Sequence, residues 1–155
     1  MILLGLGSNL GNREEYLAQA RTVLTVMDID ILAASSLVET PALMPPGAPP
    51  EWNMPYLNQV LHVATQLSPE ALLSAIKHME EDLGRKPHAR WAPREIDIDI
   101  LAYHEVVMVS DRLTLPHPYL DERRFVLEPL CEIAPHWVHP VLGKTAQQLL
   151  EALAS

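Results

Sequence analysis

The sequence predicts an α+β domain, in which helices pack on the faces of a small, mainly antiparallel sheet. Apolar runs of strand length alternate along the chain with stretches of helical periodicity, which indicates mixed secondary structure. The strand-like runs 95–101 and 106–109 are separated by a short polar turn, and hairpins of this kind favour antiparallel pairing. A chain of 155 residues suits one compact domain, which we expect to span 1–155.

The N-terminal segment predicts a strand, a turn and a helix. Residues 2–6 form an uncharged apolar run typical of a central strand, and residues 7–11 form a glycine-containing turn. Asn12 and Glu15 have the spacing of a capping box, which marks the start of a helix. The turn could cradle a phosphate, but it lacks the G-x-G-x-x-G spacing and a lysine, so we interpret it as a tight connection.

Two further strands and a helix follow. Residues 29–40 predict one strand and residues 56–65 another, while Ser68, followed by proline and glutamate, predicts a helix that ends at Gly84. The proline-rich stretch 41–55 between the strands is too long for a simple connection, and it carries tryptophan and methionine side chains that are costly to leave in water. We therefore expect this loop to close over a ligand.

The C-terminal half predicts a hairpin and two helices. The return strand of the hairpin is 106–109, and a proline-rich segment follows at 112–120. One helix is predicted to begin at 121–124, and Thr145 is expected to cap the last helix.

Composition excludes several classes of function. The net charge of −9 argues against general binding to nucleic acid or to an anionic membrane. No apolar run approaches the ~20 residues of a membrane span, and no signal peptide is visible. Cys131 is the only cysteine, which excludes an internal disulfide and fits a reducing compartment. We expect a cytoplasmic protein in which Cys131 belongs to the core.

The strongest functional signal is the alternation of acids and isoleucines from residue 95 to residue 100. This is the period of a half-buried strand, so Ile96, Ile98 and Ile100 should face a core. Asp97 and Asp99 then share the opposite face, with Cα atoms roughly 6.6–7 Å apart. Two carboxylates so placed can converge on one or two hard cations.

Magnesium is the cation that this pattern favours, because it takes only one or two protein carboxylates and leaves room for substrate phosphates. Arg90, Trp91 and Arg94 directly precede the acids. This pattern predicts that a substrate phosphate binds between the metal and an arginine guanidinium. The structural alternative is a sheet with one solvent-exposed face.

Other polar residues are candidates for binding. Arg112, Thr114, His117 and Tyr119 are competent to bind phosphate or ribose, and His117 lies between two prolines, where it cannot belong to a helix core. Asn58 begins the strand after the proline-rich loop; it is either a turn residue or a ligand contact.

Three segments together resemble a known family: GLGSNLG at 5–11, WAPREIDIDI at 91–100 and LPHP at 115–118. They are similar to the 6-hydroxymethyl-7,8-dihydropterin pyrophosphokinases of folate biosynthesis, which transfer pyrophosphate from ATP to a reduced pterin and release AMP. The similarity runs from the first strand to Pro135. It implies a ferredoxin-like α+β fold, two magnesium ions as cofactors and ATP as co-substrate.

The resemblance also implies roles for individual residues. Catalysis is expected from Arg85, Arg94, Asp97 and Asp99, of which Asp97 and Asp99 would be the metal ligands. The expected ATP-binding residues are Glu80, Trp91, Arg94, Ile100, Arg112, Thr114, His117, Tyr119 and Arg123. The expected pterin-binding residues are Thr40, Pro41, Leu43, Tyr56, Asn58, Trp91 and Phe125.

Two expectations concern motion and partners. Segments 43–54 and 85–92 are expected to be mobile without ligand and to close over the bound substrates, since pyrophosphoryl transfer must exclude water. The predicted partners are the small molecules ATP and hydroxymethyl-dihydropterin, with no nucleic acid or membrane, and the predicted state is a monomer. The alternatives are a two-metal nucleotidyltransferase acting on a small heterocyclic substrate, and a non-catalytic nucleotide- or pterin-binding module.

Overall fold

The computed structural model describes residues 1–42, 44–84 and 95–154. The predictions made for Leu43, Arg85, Trp91 and Arg94, and for the segment 85–92, lie outside the described residues. The strands and helices are β1 (Ile2–Ser8), α1 (Arg13–Val26), β2 (Asp30–Ala34), β3 (Val38–Thr40), β4 (Tyr56–Ala64), α2 (Pro69–Asp82), β5 (Asp97–Tyr103), β6 (Met108–Val109), β7 (Thr114–Leu115), α3 (Arg124–Ile133) and α4 (Ala146–Ala154).

The main sheet has the strand order β2-β4-β1-β5, and every neighbouring pair is antiparallel. The short strand β3 also pairs with β4. The chain passes through α1 between β1 and β2 and through α2 between β4 and β5, which gives the split β-α-β arrangement of a ferredoxin-like fold. The predicted fold class is therefore confirmed, and β1 is central in the sheet, as its uncharged sequence predicts.

Each face of the sheet covers a separate core, because successive side chains of a strand point to opposite faces. On the first face, Leu4 of β1 packs with buried residues of α1 and α2. On the second face, Leu3 packs with buried residues of α3 and α4. One strand thus supplies both cores, and helices cover both faces.

The predicted helix starts are confirmed. The side chains of Asn12, Ser68 and Thr145 each accept a hydrogen bond from the backbone amide three residues later, at 3.1, 3.2 and 3.1 Å. These bonds satisfy amides that lack a partner inside the helix. Gly84 follows α2 with a φ of 98°, a backbone conformation that glycine adopts without strain.

The single strand predicted for residues 29–40 is wrong, because the structure divides it into β2 and β3. Ser35 lies at the break, where its Oγ accepts a hydrogen bond from Val60 N at 2.9 Å. The Gln59 side chain donates to Ser35 O at 2.7 Å. Side-chain bonds therefore replace part of the backbone ladder at this point, and the chain enters β3 in a shifted register.

The predicted hairpin between β5 and 106–109 is also wrong in its pairing. Strand β6 pairs with β7, and Ser110 N donates to Leu113 O at 3.0 Å to close the turn. His117 N instead donates to Leu101 O of β5 at 2.9 Å. The segment after β7 therefore occupies the edge position that the prediction gave to β6.

Candidate active site

A pocket of about 320 Å³ opens on the second face of the sheet, beside the start of α3. Its walls come from β1, β4 and β5, from the start of α3, and from the segments that precede β4 and α3. Nine residues predicted to bind substrates or metal line it together: Thr40, Pro41, Tyr56, Asn58, Asp97, Asp99, His117, Arg123 and Phe125. Residues far apart in the sequence thus meet at one site because the three strands are neighbours in the sheet.

Glycines of β1 form the floor of the pocket. Gly7 pairs with Asn58 on one side and with Asp97 on the other, and Gly5 pairs with Asp99. A Cβ atom on Gly7 would lie 3.4 Å from Asn58 Oδ1. Because β1 has no side chain here, bare backbone separates the amide from the carboxylates, and a flat ligand can lie against it.

No role at the site was predicted for these glycines. Gly5 and Gly7 alternate with Leu4 and Leu6 in the sequence, but Gly7 was predicted to lie in the turn 7–11, whereas β1 continues to Ser8. Glycine weakens a strand, and its repetition on one face marks a close approach of another group.

The two aspartates lie as the alternation predicts. Asp97 and Asp99 are half-buried and line the pocket, while Ile98 and Ile100 belong to the first core. Within the described ranges, no group of three or more His, Cys, Asp or Glu side chains could hold a metal ion. Two carboxylates at an open pocket fit magnesium, which completes its octahedral shell with water and substrate phosphates.

Arg123 supplies a permanent cation to the pocket that the two aspartates also line. The Arg123 guanidinium lies 5.2 Å from the centre of the Tyr119 ring and 5.6 Å from that of Phe125. Aromatic rings at these distances hold the cation by its attraction to their π faces. An anionic ligand in the pocket therefore meets a positioned positive charge.

The surroundings of His117 favour its neutral form. Burial, and then the charge of Arg123, lower the pKa of His117, and the opposing effect of Asp97 does not reverse this shift. Its Nδ1 accepts a hydrogen bond from Tyr119 N at 3.4 Å, which leaves the proton on Nε2. The imidazole can therefore donate to a ligand from Nε2 without carrying charge.

The orientation of the Asn58 amide is fixed by the protein. Its Nδ2 donates to Thr40 Oγ1 at 2.8 Å and to Val38 O at 3.2 Å. Both amide hydrogens are thereby used, so the oxygen is the atom presented to the pocket above Gly7. This side of the pocket selects a ligand with hydrogen-bond donors.

Five residues predicted to bind ATP do not line this pocket. The Glu80 side chain is buried, and its Oε2 accepts from Ile98 N at 2.9 Å. Arg112 donates to Ser74 Oγ of α2 at 3.0 Å. The remaining three are a core side chain, a β7 residue and an exposed aromatic, namely Ile100, Thr114 and Tyr119. Their roles in nucleotide binding stay predictions.

Side-chain contacts fix the proline-rich loop at both ends. Arg13, at the start of α1, forms an ion pair with Glu39 of β3 at 2.9 Å and donates to Pro55 O at 3.0 Å. The buried Asn9 side chain donates to Met54 O at 3.0 Å. Residues on both flanks of the loop are thus attached to the turn between β1 and α1.

Fold and site together define an α+β domain of the ferredoxin-like type, with an open pocket that combines two carboxylates, an arginine and a fixed amide. The sequence pattern of the family described as 7,8-dihydro-6-hydroxymethylpterin-pyrophosphokinase (HPPK) matches residues 3–135. The chain belongs to this family. The described residues contain no helix that is both long and apolar enough to cross a membrane.

Relatives agree with this assignment. The chain is 40% identical to a 2-amino-4-hydroxy-6-hydroxymethyldihydropteridine pyrophosphokinase of Aquifex aeolicus, over 95% of this chain and 88% of the relative. It is 41% identical to the protein of that name from Methylorubrum extorquens, over 97% and 91%. A "Folate synthesis bifunctional protein" of Chlamydia muridarum is 44% identical over 96% of this chain.

Solved structures share the fold. The chain superimposes on Plasmodium falciparum HPPK-DHPS, crystallised with pteroate, with a TM-score of 0.72 and 17% identity, covering 97% of this chain. It covers 42% of that chain and 34% of the Chlamydia muridarum relative. The present chain thus spans between a third and a half of these longer proteins, but most of the Aquifex aeolicus relative.

Proposed function

We propose that the protein transfers pyrophosphate from ATP to the hydroxymethyl group of 6-hydroxymethyl-7,8-dihydropterin and releases AMP. The observation that carries the proposal is the arrangement of the pocket around β1. Asn58 and Asp97 lie on the two strands that flank Gly7. Two strand spacings separate those strands by about 9–10 Å, so a heterocycle held at the amide reaches phosphates held at the carboxylates.

The heterocycle site is suited to a pterin. The ring system carries an amino group and a ring N–H, and the Asn58 oxygen is an acceptor that the protein has already oriented. Tyr56 and Phe125 line the same pocket and can cover the ring. A buried polar group that loses its ligand partner is costly, so this arrangement discriminates strongly against rings without the donors.

The phosphate site is formed by Asp97, Asp99, His117 and Arg123. Asp97 and Asp99 would hold two magnesium ions, which when bound neutralise phosphate charge and lower the pKa of the attacking hydroxyl. Arg123 supplies a fixed positive charge, and His117 donates a neutral hydrogen bond. Arg85 and Arg94 are predicted to add charge at the transferred group.

The transfer is a displacement at the β-phosphorus of ATP. The pterin hydroxyl oxygen forms a bond to this phosphorus as the bond to the bridging α,β-oxygen breaks, and AMP leaves with that oxygen. The hydroxyl proton passes to solvent. The protein contributes mainly alignment and charge stabilisation, as in other phosphoryl transfers.

Product analysis tests the proposal. The full chain is incubated with ATP, magnesium and 6-hydroxymethyl-7,8-dihydropterin, and the nucleotide products are separated. We expect AMP and pterin pyrophosphate in equal amounts, and loss of both when magnesium is chelated. Release of inorganic pyrophosphate would favour the nucleotidyltransferase alternative, which family membership does not support. Absence of turnover would favour the binding module.

A further inference from the structure

Glu80 is an acid in a position where helical periodicity requires an apolar residue. It follows Met79 on the buried face of α2, and it is only 4% exposed. Acidic side chains are almost never buried at this level unless they are paired. Its Oε2 accepts a hydrogen bond from Ile98 N at 2.9 Å.

The accepted amide lies on the outer edge of β5. In an antiparallel ladder, alternate residues direct their backbone groups to the partner strand. Because Ile98 N donates to Glu80, this amide points away from β1. The backbone groups of Asp97 and Asp99 therefore point toward β1, where Gly7 and Gly5 are their partners. Among the described residues, β1 is the only strand that pairs with β5. Glu80 therefore replaces a neighbouring strand at this position.

Glu80 reaches the strand from the side opposite the pocket. Helix α2 packs on the first core, to which the Ile98 side chain also belongs. The two aspartates that flank Ile98 face the second side and line the pocket. The Glu80 carboxylate therefore holds the backbone at Ile98 from the face of the sheet opposite to the Asp97 and Asp99 side chains.

We propose that Glu80 is a positioning residue for the transfer reaction: by holding the Ile98 amide, it fixes the spacing and direction of Asp97 and Asp99. This inference rests on the proposed function, but it gives Glu80 a different role from the direct ATP contact that the resemblance implies. The hydrogen bond, not a contact with nucleotide, is the basis of its effect.

Four variants separate the possibilities. Glu80→Met keeps the length of the side chain and removes the acceptor, whereas Glu80→Gln keeps an acceptor oxygen without charge. Glu80→Asp is a milder change, because it keeps the carboxylate but shortens the side chain by one methylene group. It replaces Glu80→Met in the test if the methionine variant does not fold. Ile76→Val, on the same buried face of α2, is the matched control for lost packing.

We expect kcat to fall by about 10–100-fold in Glu80→Met and less in Glu80→Asp, because small misplacements of catalytic groups cost this much. Glu80→Gln and Ile76→Val should stay within about threefold of the wild type. The KM for the pterin should not change in any variant. A raised KM for ATP with an unchanged kcat would overturn the proposal and restore a direct nucleotide contact.

Hydrogen exchange of the Ile98 amide in the ligand-free protein gives a readout that does not depend on activity. We expect faster exchange in Glu80→Met and Glu80→Asp, and wild-type protection in Glu80→Gln and Ile76→Val. Wild-type protection in all four variants would overturn the proposal. If the wild-type protein makes no AMP, the proposed function fails, whereas the exchange result still decides whether Glu80 holds the strand.

Discussion

At the scale of single residues, the Asn58 amide shows how the fold prepares a binding group. The break between β2 and β3 places Val38 O and Thr40 Oγ1 beside the amide nitrogen. Each acceptor takes up one hydrogen of the Asn58 amide, so the amide oxygen faces the pocket. The orientation of the Asn58 side chain thus depends on the break between β2 and β3, which hydrophobic periodicity did not predict.

The role of Thr40 can be tested by substitution. Thr40→Val removes the Oγ1 acceptor with little change in volume, so the Asn58 amide loses one of the bonds that orient it. We expect pterin affinity to fall by about 1–2 kcal/mol, the range for a lost hydrogen bond in a partly buried site. Thr40→Ser, the matched control, should bind like the wild type. Calorimetry with pterin and with an ATP analogue measures this; an equal loss for both ligands would contradict it.

His139 carries a pH dependence that can be predicted in sign. Burial lowers the pKa of His139 below its ordinary value of 6.5, and the opposing charge of Asp121 does not reverse this shift. The Nδ1 atom accepts hydrogen bonds from Val141 N at 3.2 Å and Leu142 N at 3.1 Å. Since the unfolded chain takes up this proton first as pH falls, the free energy of unfolding should decrease below about pH 6.5.

His139→Asn isolates this contribution, because the asparagine oxygen can accept the same two amides without titrating. We expect the free energy of unfolding of this variant to depend less on pH than that of the wild type between about pH 7 and 5. His62 and His117 also have lowered pKa values and contribute in the same direction in both proteins. Identical pH profiles from denaturant titrations would show that His139 is not a source of the effect.

At the scale of elements, features that depend on neighbouring residues were predicted correctly, and features that depend on distant partners were not. The helix starts at Asn12, Ser68 and Thr145 follow from residues within one turn, which the sequence displays directly. The break at Ser35 depends on Val60, which is 25 residues away. Strand β6 does not lie beside β5, because the segment at His117 bonds to Leu101 O there, 16 residues away. Such partners are invisible to periodicity.

The loop 41–55 is the element whose motion can be tested most readily. Arg13 holds residues on both flanks of it, through Glu39 and Pro55 O. We therefore expect closure to occur in residues 44–52, while the ends stay fixed. The amides of the non-proline residues in 44–52 should gain protection from hydrogen exchange with pterin plus a non-hydrolysable ATP analogue. Residues 61–63 of β4, which do not line the pocket, should not change. Equal protection with and without ligands would exclude a lid.

Arg13→Ala extends this test. Exposed ion pairs contribute about 0–1 kcal/mol, so the fold should be nearly unaffected. The loop ends should loosen, with a raised KM for the pterin and an unchanged affinity for ATP, whose phosphates bind elsewhere. Arg124→Ala breaks a comparable exposed pair with Glu128 on α3 and is the matched control. The same KM in both variants would mean that Arg13 does not organise the loop.

At the scale of the whole molecule, the sheet order explains how a protein of net charge −9 can bind two ligands on one face. Central β1 supplies a floor of backbone, β4 supplies the amide and β5 supplies the carboxylates. In the proposed function, anion binding depends on the local charge of Arg123 and on metal, not on the overall charge of the molecule. The single domain, the monomeric state and the cytoplasmic location stay predictions.

Much of this site was predictable because motif residues carry it. Asp97 and Asp99 were predicted from the alternation and the basic residues before it. Asn58 and His117 were candidates from their positions in the chain, and the resemblance added Arg123. Gly5 and Gly7 were missed because Gly7 was assigned to the turn after the strand, so their repetition on one face of β1 was not used.

The most direct test of the proposed active site is the effect of Asp97→Ala and Asp99→Ala on turnover and on stability together. Both acids are half-buried on the pocket face, so their loss should change the free energy of unfolding by only about 0.5 kcal/mol. Formation of AMP should nevertheless be abolished in each. Asp30→Ala, an exposed acid at the start of β2, should retain wild-type activity. Turnover within about tenfold of the wild type in either pocket variant, measured on folded protein, would contradict the assignment of this pocket as the site of pyrophosphoryl transfer.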